Sequence, residues 1–282
     1  MGLFSDVERM GLGNVNMDNV FKDEEKAGAS KEEKEAVKAE KKEEDVLFDK
    51  SYKCPICDKE FKAKAIRTGR LKLLAQDDDL RPIYENHIDP LKYDAISCPH
   101  CGYTALTRYY RPVTTTQLRA IKQEYCANFK GIPEETPCMS YDGALLRHKL
   151  ALVCAMKRNA KNSEKAYIFL KMAWLIRGKL EELPQDAAER EELKSEEQEC
   201  IQKAYEGFQD AFSRESFPMC GMDEISVRYT MAVLAHEIGK PEEAVRMLAS
   251  VLNSKVASRR IKDKALELKD IIKQEVMASK KK

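Results

Sequence analysis

Four cysteines fall into two pairs whose spacing suits a metal ion. The first pair is Cys54-Pro-Ile-Cys57, the second is Cys98-Pro-His-Cys101 followed by Gly102, and 40 residues separate them. Each Cys-x-x-Cys turn can point two thiolates at one ion. Two such turns complete the tetrahedral shell that zinc prefers, with Zn–S bonds of about 2.3 Å. Because four thiolates leave no open position for a substrate, the pattern predicts one structural Zn²⁺ on Cys54, Cys57, Cys98 and Cys101.

The sequence gives less support to other chemistry at these cysteines than to a structural zinc ion. Iron is chemically possible in a four-thiolate site. A redox Cys-x-x-Cys belongs at the start of a long helix in a strand–helix pattern, and neither pair has that setting. His100 lies between two ligands and is expected to point outward, whereas His87 could replace a ligand. The interval exceeds the roughly 15–20 residues that usually separate two such pairs, so an inserted hairpin or loop is predicted between them.

The remaining cysteines and histidines lack ligand spacing. We expect Cys126, Cys154 and Cys200 to act as small buried hydrophobes, and Cys138 and Cys220 to lie in loops. His148 and His236 are predicted to be structural. Glu237 follows His236, but Lys240 stands where the second histidine of a zinc-protease motif is needed. No glycine-rich phosphate loop, nucleophile elbow or catalytic triad is found, so no catalytic residue is predicted.

Two basic patches keep nucleic-acid binding open as an alternative. Basic residues mixed with aromatics can clamp phosphates and stack on bases. One patch follows the first cysteine pair, and Arg108-Tyr109-Tyr110-Arg111 follows the second. The first patch comprises Lys59, Lys62, Lys64, Arg67, Arg70 and Lys72. Asp77-Asp78-Asp79 comes directly after it and should lower the local field, so a solvated face is the preferred interpretation.

The bulk composition favours a reduced cytoplasm. The chain has 282 residues, nine cysteines and a formal net charge of +1. Its start has no basic region followed by an apolar stretch, and no apolar run is long enough to span a membrane. Free thiols fit a reducing compartment, and the balanced charge excludes a global field that attracts nucleic acid or membrane.

Four segments follow from the changes in pattern along the chain. Residues 1–21 carry apolar positions at near-helical spacing and form a short segment that could be amphipathic. Residues 22–50 form a charged linker, with 19 of its 29 residues charged. Residues 51–112 are predicted to form a small β-type module of zinc-ribbon or rubredoxin-like character. Residues 113–282 are predicted to be helical.

The helical part shows an internal alignment. Apolar residues recur every three or four positions in seven segments, and Gly131, Gly178 and Gly239 are predicted to end helices. The segments are 114–130, 141–159, 163–179, 187–212, 223–238, 241–252 and 261–277. Three of them align on Ala166, Ala204 and Ala244, each with a large residue four positions later. This arrangement is typical of the second helix of tetratricopeptide repeats, although an irregular helical bundle remains the alternative.

The chain resembles a bacterial family of unknown function. The resemblance rests on the opening Gly-Leu-Phe-Ser-Asp, on both cysteine segments, and on Asp79-Leu-Arg-Pro82 and Asp89-Pro-Leu-Lys-Tyr-Asp94. It covers nearly the whole chain. It implies a zinc-ribbon-like start, a tetratricopeptide-like helical body and the cytoplasm of an anaerobic type of bacterium. It implies no activity.

These observations favour a non-enzymatic protein that binds a protein or peptide on its helical repeats, because stacked repeats create long grooves. A nucleic-acid-binding zinc ribbon with a helical partner-docking domain is the second hypothesis. An enzyme with a site in the repeat groove, or near Cys220 and His236, is the third. We expect no membrane association. The sequence does not specify the oligomeric state.

Overall fold

Three short antiparallel hairpins form the N-terminal part of the protein. The computed structural model describes residues 42–134 and 136–279. A short helix α1 (Glu43–Val46) leads directly into the first hairpin. The strands are β1 (Leu47–Lys53) with β2 (Glu60–Ile66), β3 (Leu73–Gln76) with β4 (Pro82–Tyr84), and β5 (Ala95–Ser97) with β6 (Thr104–Leu106). The predicted small β module is therefore present, and the β3–β4 hairpin is the predicted insertion between the cysteine pairs.

The β module begins earlier than the sequence indicated. The charged linker was predicted to extend to Lys50, but β1 already starts at Leu47, opposite Ile66 of β2. Glu43 of α1 accepts hydrogen bonds from Lys92 Nζ (2.7 Å) and Tyr93 Oη (2.6 Å). The boundary at residue 50 was therefore wrong, because a high density of charge does not prevent a segment from pairing as a strand. The segment 1–21 and the first part of the linker lie outside the described residues.

Helices make up the rest of the described chain. They are α2 (Thr115–Glu124), α3 (Tyr141–Lys157), α4 (Asn162–Glu182), α5 (Arg190–Arg214), α6 (Glu224–Glu237), α7 (Pro241–Asn253) and α8 (Arg259–Ser279). The side chains of Thr114, Ser140 and Asp223 cap the first turns of α2, α3 and α6, as expected for N-cap residues. The mainly α fold class preceded by a small β module is thus confirmed.

Of the three glycines predicted to end helices, Gly131 does not do so, because α2 already ends at Glu124. Gly239 has φ +75° and follows α6 as predicted. Gly178, however, does not end a helix, because α4 continues to Glu182. A Cβ atom at Gly178 would lie 2.6 Å from the hydroxyl oxygen of Tyr141. The glycine is therefore explained by the close approach of α3 to α4 rather than by a helix end.

The helices form antiparallel pairs, and the three aligned alanines do not occupy equivalent places. Ala166 lies on α4, the second helix of the pair α3–α4, as the alignment predicted. Ala244 lies on α7, the second helix of the pair α6–α7, which also agrees with the alignment. Ala204 lies on α5, which packs along α4 itself, and a Cβ at Gly207 of α5 would come within 2.9 Å of the Ala166 Cβ. Helical hairpins are therefore present, and a regular tetratricopeptide repeat stays a prediction.

The β module and the helices share one apolar core. Leu91, Ala95 and Leu106 of the β module belong to the same buried cluster as the helical residues. The buried Lys171 of α4 pairs with Asp94 just before β5, at 2.7 Å. A second buried cluster surrounds the cysteines and includes Ile121 of α2 and Cys154 of α3. Disturbance of the cysteine module is therefore expected to reach the helices.

Candidate metal centre

Two Cys-x-x-Cys turns with the same backbone geometry, Cys54–Cys57 and Cys98–Cys101, bring the four cysteines together, and each is called a knuckle below. The amide of Cys54 donates to Lys59 O and that of Cys98 to Tyr103 O, at 3.0 and 2.9 Å. Asp58 and Gly102 each donate back to the first cysteine of their knuckle and adopt φ of 60° and 77°. The first knuckle joins β1 to β2 and the second joins β5 to β6, so each hairpin holds one cysteine pair at its end.

The four sulfur atoms fit a tetrahedral metal ion. All four lie within 4.8 Å of one another. The Sγ atoms of Cys54 and Cys101 are 3.6 Å apart, and those of Cys57 and Cys98 are 3.7 Å apart. A tetrahedron with metal–sulfur bonds of about 2.3 Å has edges of about 3.8 Å, whereas a disulfide bond is about 2.05 Å long. The cluster can therefore hold one metal ion, and all four cysteines are free thiols.

The close contact of the sulfurs changes their acidity. Hydrogen bonds from the Cys101 thiol and then from the Cys98 thiol hold the pKa of Cys54 far below its usual range. The same contact with Cys54 raises the pKa of Cys101 far above its usual range. The amide of Ile56 also donates to the Cys54 sulfur, at 3.4 Å. Because a metal ligand must be a thiolate, binding of an ion by this cluster is coupled to the release of protons.

Aromatic side chains close one side of the centre. Tyr52 stacks on Phe61, with ring centroids 5.9 Å apart, and Tyr110 contacts both rings edge-on. Tyr103 is fully buried and lies 5.5 Å from Tyr110. Phe129 covers Gly102, where an added Cβ would lie 2.2 Å from its ring. Three of the four cysteines are buried beneath these groups, while Cys57 is half-buried.

The histidines remain outside the cysteine cluster. His100 is exposed, as expected. His87 lies in the insertion, in a 3-10 turn, and is exposed; it does not join the metal-binding group among the described residues. His148 is fully buried and bonds Ala144 O through Nδ1 at 2.8 Å, and His236 contacts Glu275 at 2.6 Å. The prediction of structural roles for the last two agrees with these contacts.

The other five cysteines show no ligand geometry. Burial raises the pKa of Cys154 to about 11 and that of Cys200 to about 12, so both are poor nucleophiles. Cys126 and Cys138 are half-buried, and Cys220 is buried in the loop before α6. The Cys220 thiol donates to Ser163 O at 3.2 Å. Cys220 and His236, which the enzyme hypothesis paired, thus have separate partners.

A buried charge network was missed by the sequence analysis. The Asp79 carboxylate accepts from Trp174 Nε1 at 2.8 Å and from Arg177 at 2.9 Å. Arg177 of α4 also bonds Glu197 of α5 at 2.8 Å and lies 3.8 Å from Glu237 of α6. Asp79 is only 1% exposed. The expectation that Asp77–Asp79 lowers the surface field was therefore wrong for Asp79, which instead fixes the insertion to the helices.

Titrating groups line a small cavity between the insertion and α4. Burial raises the pKa of Asp89 and of Glu182, and both line a space of about 280 Å³. Asp89 is already used, because it caps Leu91 N at 2.9 Å and contacts the Tyr141 hydroxyl at 3.4 Å. The lining of the cavity contains no serine, threonine, cysteine or lysine side chain.

Each basic patch has some members in contact with neighbouring side chains. In the first patch, Lys64 pairs with Asp49 across the β1–β2 hairpin at 2.9 Å. Arg108 lies over the ring of Tyr167, 5.7 Å from its centroid. The hydroxyl of Tyr110 is buried. These contacts favour the solvated-face interpretation for the first patch and a packing role for the second.

The fold and the site together define a small zinc-ribbon-like cysteine module joined to a helical body. The sequence matches, over residues 47–272, the family described as "Uncharacterized protein conserved in bacteria (DUF2225)". The chain belongs to this family, as the resemblance in its motifs indicated. No curated protein and no solved structure matches it. Among the described residues, no helix has the length and apolar character needed to cross a membrane.

Proposed function

We propose that this chain is a non-enzymatic protein-interaction protein of the bacterial cytoplasm whose fold depends on one structural Zn²⁺. The observation that carries the proposal is the set of four converging cysteine sulfurs, with contacts of 3.6 and 3.7 Å. Zinc suits this set best, because tetrahedral thiolate sites without an open position are its usual structural sites. The proposed ligands are Cys54, Cys57, Cys98 and Cys101.

A structural role for the ion follows from the surroundings. The knuckles are covered by aromatic rings, and three of the four cysteines are buried. A catalytic zinc needs a position for water or substrate, and four thiolates fill the shell. The ion would instead fix the two hairpins relative to each other, and with them the strands that pack on α3.

A protein partner is favoured over nucleic acid by the distribution of charge. The formal net charge is +1, and Lys64, one of the two lysines of β2, pairs with Asp49 of β1. A protein that neutralises several phosphates needs an unpaired basic face. The helical part, in contrast, exposes apolar side chains on two helices, α3 and α8: Leu146, Val153, Met156, Leu266, Ile271 and Met277.

The partner class is tested with the full-length, zinc-loaded chain, because the β module and helices share a core. Immobilised protein is offered to lysate from the native host, with and without nuclease, at increasing salt. Retained protein that survives nuclease and depends weakly on salt supports the proposal. Retained RNA or DNA, with a logarithmic salt slope of about −0.9 per phosphate contact, would establish the nucleic-acid alternative instead.

A further inference from the structure

We infer that the groove between α3 and α5 binds an amphipathic helix with one leucine-type apolar face flanked by lysine or arginine. This inference rests on the proposed protein-binding function and names the surface and the kind of partner. It depends on an exposed apolar line along α3 and on a surplus of carboxylates along the opposite edge.

An exposed apolar line runs along α3 and meets the groove at Leu146. Leu146, Val153 and Met156 are 37%, 38% and 58% exposed, and they recur at helical spacing. At 1.5 Å per residue the line from Leu146 to Met156 is about 15 Å long, which is close to three helical turns. Leu145 and Leu193 are buried at the floor of the adjoining groove. An apolar stripe of this length can accept anchors from a partner helix at positions i, i+3, i+4 and i+7.

The rim of the groove is acidic. Its charged lining residues are Asp142, Glu189, Glu192, Glu196, Lys149 and Lys179. Four carboxylates thus face two ammonium groups, a difference of two negative charges. Lys179 pairs with Asp142 at 2.8 Å and with Glu189 at 3.1 Å, and Lys149 pairs with Glu196 at 3.6 Å. Glu192 makes no salt bridge within the described part of the chain, so its charge is available to a cationic partner.

Charge decides between possible occupants. A phosphate backbone would meet a negative rim, which opposes binding. In a symmetric pair of copies the same patch meets itself, and Glu192 would face the carboxylates of an identical rim. A helix that carries lysine or arginine beside its apolar face satisfies both features of the groove, because opposite charges steer and orient the complex. Its binding should weaken only modestly as salt rises, well short of the steep slope that several phosphate contacts produce.

The test uses the full-length zinc-loaded chain and a fluorescent synthetic amphipathic helix of leucine and lysine, followed by anisotropy. Two exposed methionines provide a matched pair: Met156 at the C-terminal end of the apolar line on α3, and Met277 on α8, which is 52% exposed. We expect Met156→Glu to weaken binding at least about tenfold, since it places a charge in the apolar contact, and Met277→Glu to leave it unchanged. Glu192→Lys should weaken binding about threefold, whereas Glu206→Lys, exposed further along α5, should not.

A second peptide, with glutamate in place of lysine, should not bind. Equal losses in Met156→Glu and Met277→Glu, or binding that ignores Met156→Glu and Glu192→Lys, would overturn the inference. So would a dimer that Met156→Glu converts to a monomer, since a second copy would then occupy the groove. If lysate proteins bind the Met156→Glu variant as strongly as they bind the unaltered chain, only the assignment of the binding site to this groove is refuted. If only nucleic acid is retained, the proposed protein-binding function is refuted too.

Discussion

Glu237 should make the protein less stable as the pH rises, and its replacement by glutamine should remove this loss. Glu237 lies at the end of α6, where burial and then the neighbouring Asp79 raise its pKa to about 7. Arg177 is the nearest cation, at 3.8 Å, and it is shared with Asp79 and Glu197. One oxygen of Glu237, Oε2, is buried without a hydrogen-bond partner, which explains why the charged form is disfavoured.

The sign follows from proton linkage. The ordinary pKa of glutamate is 4.5, so between pH 4.5 and 7 the folded state holds a proton on Glu237 that the unfolded state has released. Stability therefore falls as the pH rises through this window. A shift from 4.5 to about 7 corresponds to about 3 kcal/mol at 1.36 kcal/mol per pH unit. Glu237→Gln should thus gain about 3 kcal/mol over the unaltered chain between pH 4.5 and pH 8.

His148 acts in the opposite direction. Burial lowers its pKa to about 4 from an ordinary 6.5, so the unfolded state binds the extra proton between pH 4 and 6.5. Stability due to His148 is complete above pH 6.5 and is lost as the pH falls toward 4, by about 3 kcal/mol. In the unaltered chain the two effects oppose each other. His148→Met should therefore unmask the decline that Glu237 causes.

The assay is urea unfolding at a series of pH values, with zinc present. The quantity compared is the difference in free energy of unfolding between variant and unaltered chain, because the cysteine cluster contributes equally to both. A difference for Glu237→Gln that stays constant from pH 4.5 to 8 would refute the account of the network around Arg177. A constant difference for His148→Met would refute the account of the buried imidazole.

Three further outcomes are expected. Gly102→Ala should abolish zinc retention or lower stability by more than about 3 kcal/mol, because its Cβ would lie 2.2 Å from the Phe129 ring and its φ is +77°. The control is Asp58→Gly, at the matching position of the first knuckle with φ 60°, which should be neutral or stabilising by up to about 1 kcal/mol. Equal losses of stability for the two variants in thermal unfolding would contradict this expectation. Asp79→Ala should cost about 3–5 kcal/mol by leaving Arg177 and the Trp174 Nε1 without their buried partner, and a loss below about 1 kcal/mol in urea unfolding would contradict it. A zinc chelator should shift the whole helical transition in circular dichroism as one unit, and a helical transition that does not move would mean that the two parts fold separately.

Much of the fold could be predicted from local features of the sequence. The clustering of the four cysteines was predicted from their spacing. The observed helices agree with the predicted segments to within a few residues, except that α2 ends at Glu124 rather than Lys130. Capping residues and apolar periodicity act within one or two turns, so they can be found in the sequence alone.

The parts that the sequence did not reveal depend on distant contacts. Asp79 meets Trp174 and Arg177 across nearly 100 residues, so a run of three aspartates resembled a solvated patch. Gly178 was assigned to a helix end because its function as a contact for Tyr141 depends on packing between two helices. Asp58 is not a glycine, so the sequence did not indicate its left-handed φ of 60°, which is close to the 77° of Gly102. Tertiary packing, rather than propensity, decides such positions.

The central claim is one zinc ion on four cysteines, and zinc-edge X-ray absorption combined with elemental analysis tests it most directly. Protein purified under reducing conditions from the native host should contain one zinc per chain, with four sulfur neighbours at about 2.3 Å. Two pairs of the proposed ligand sulfur atoms are 3.6 and 3.7 Å apart. These distances are close to the edge of a tetrahedron whose zinc–sulfur bonds are about 2.3 Å long. Protein without metal, protein with bound iron, or a shell containing a nitrogen ligand would contradict the account.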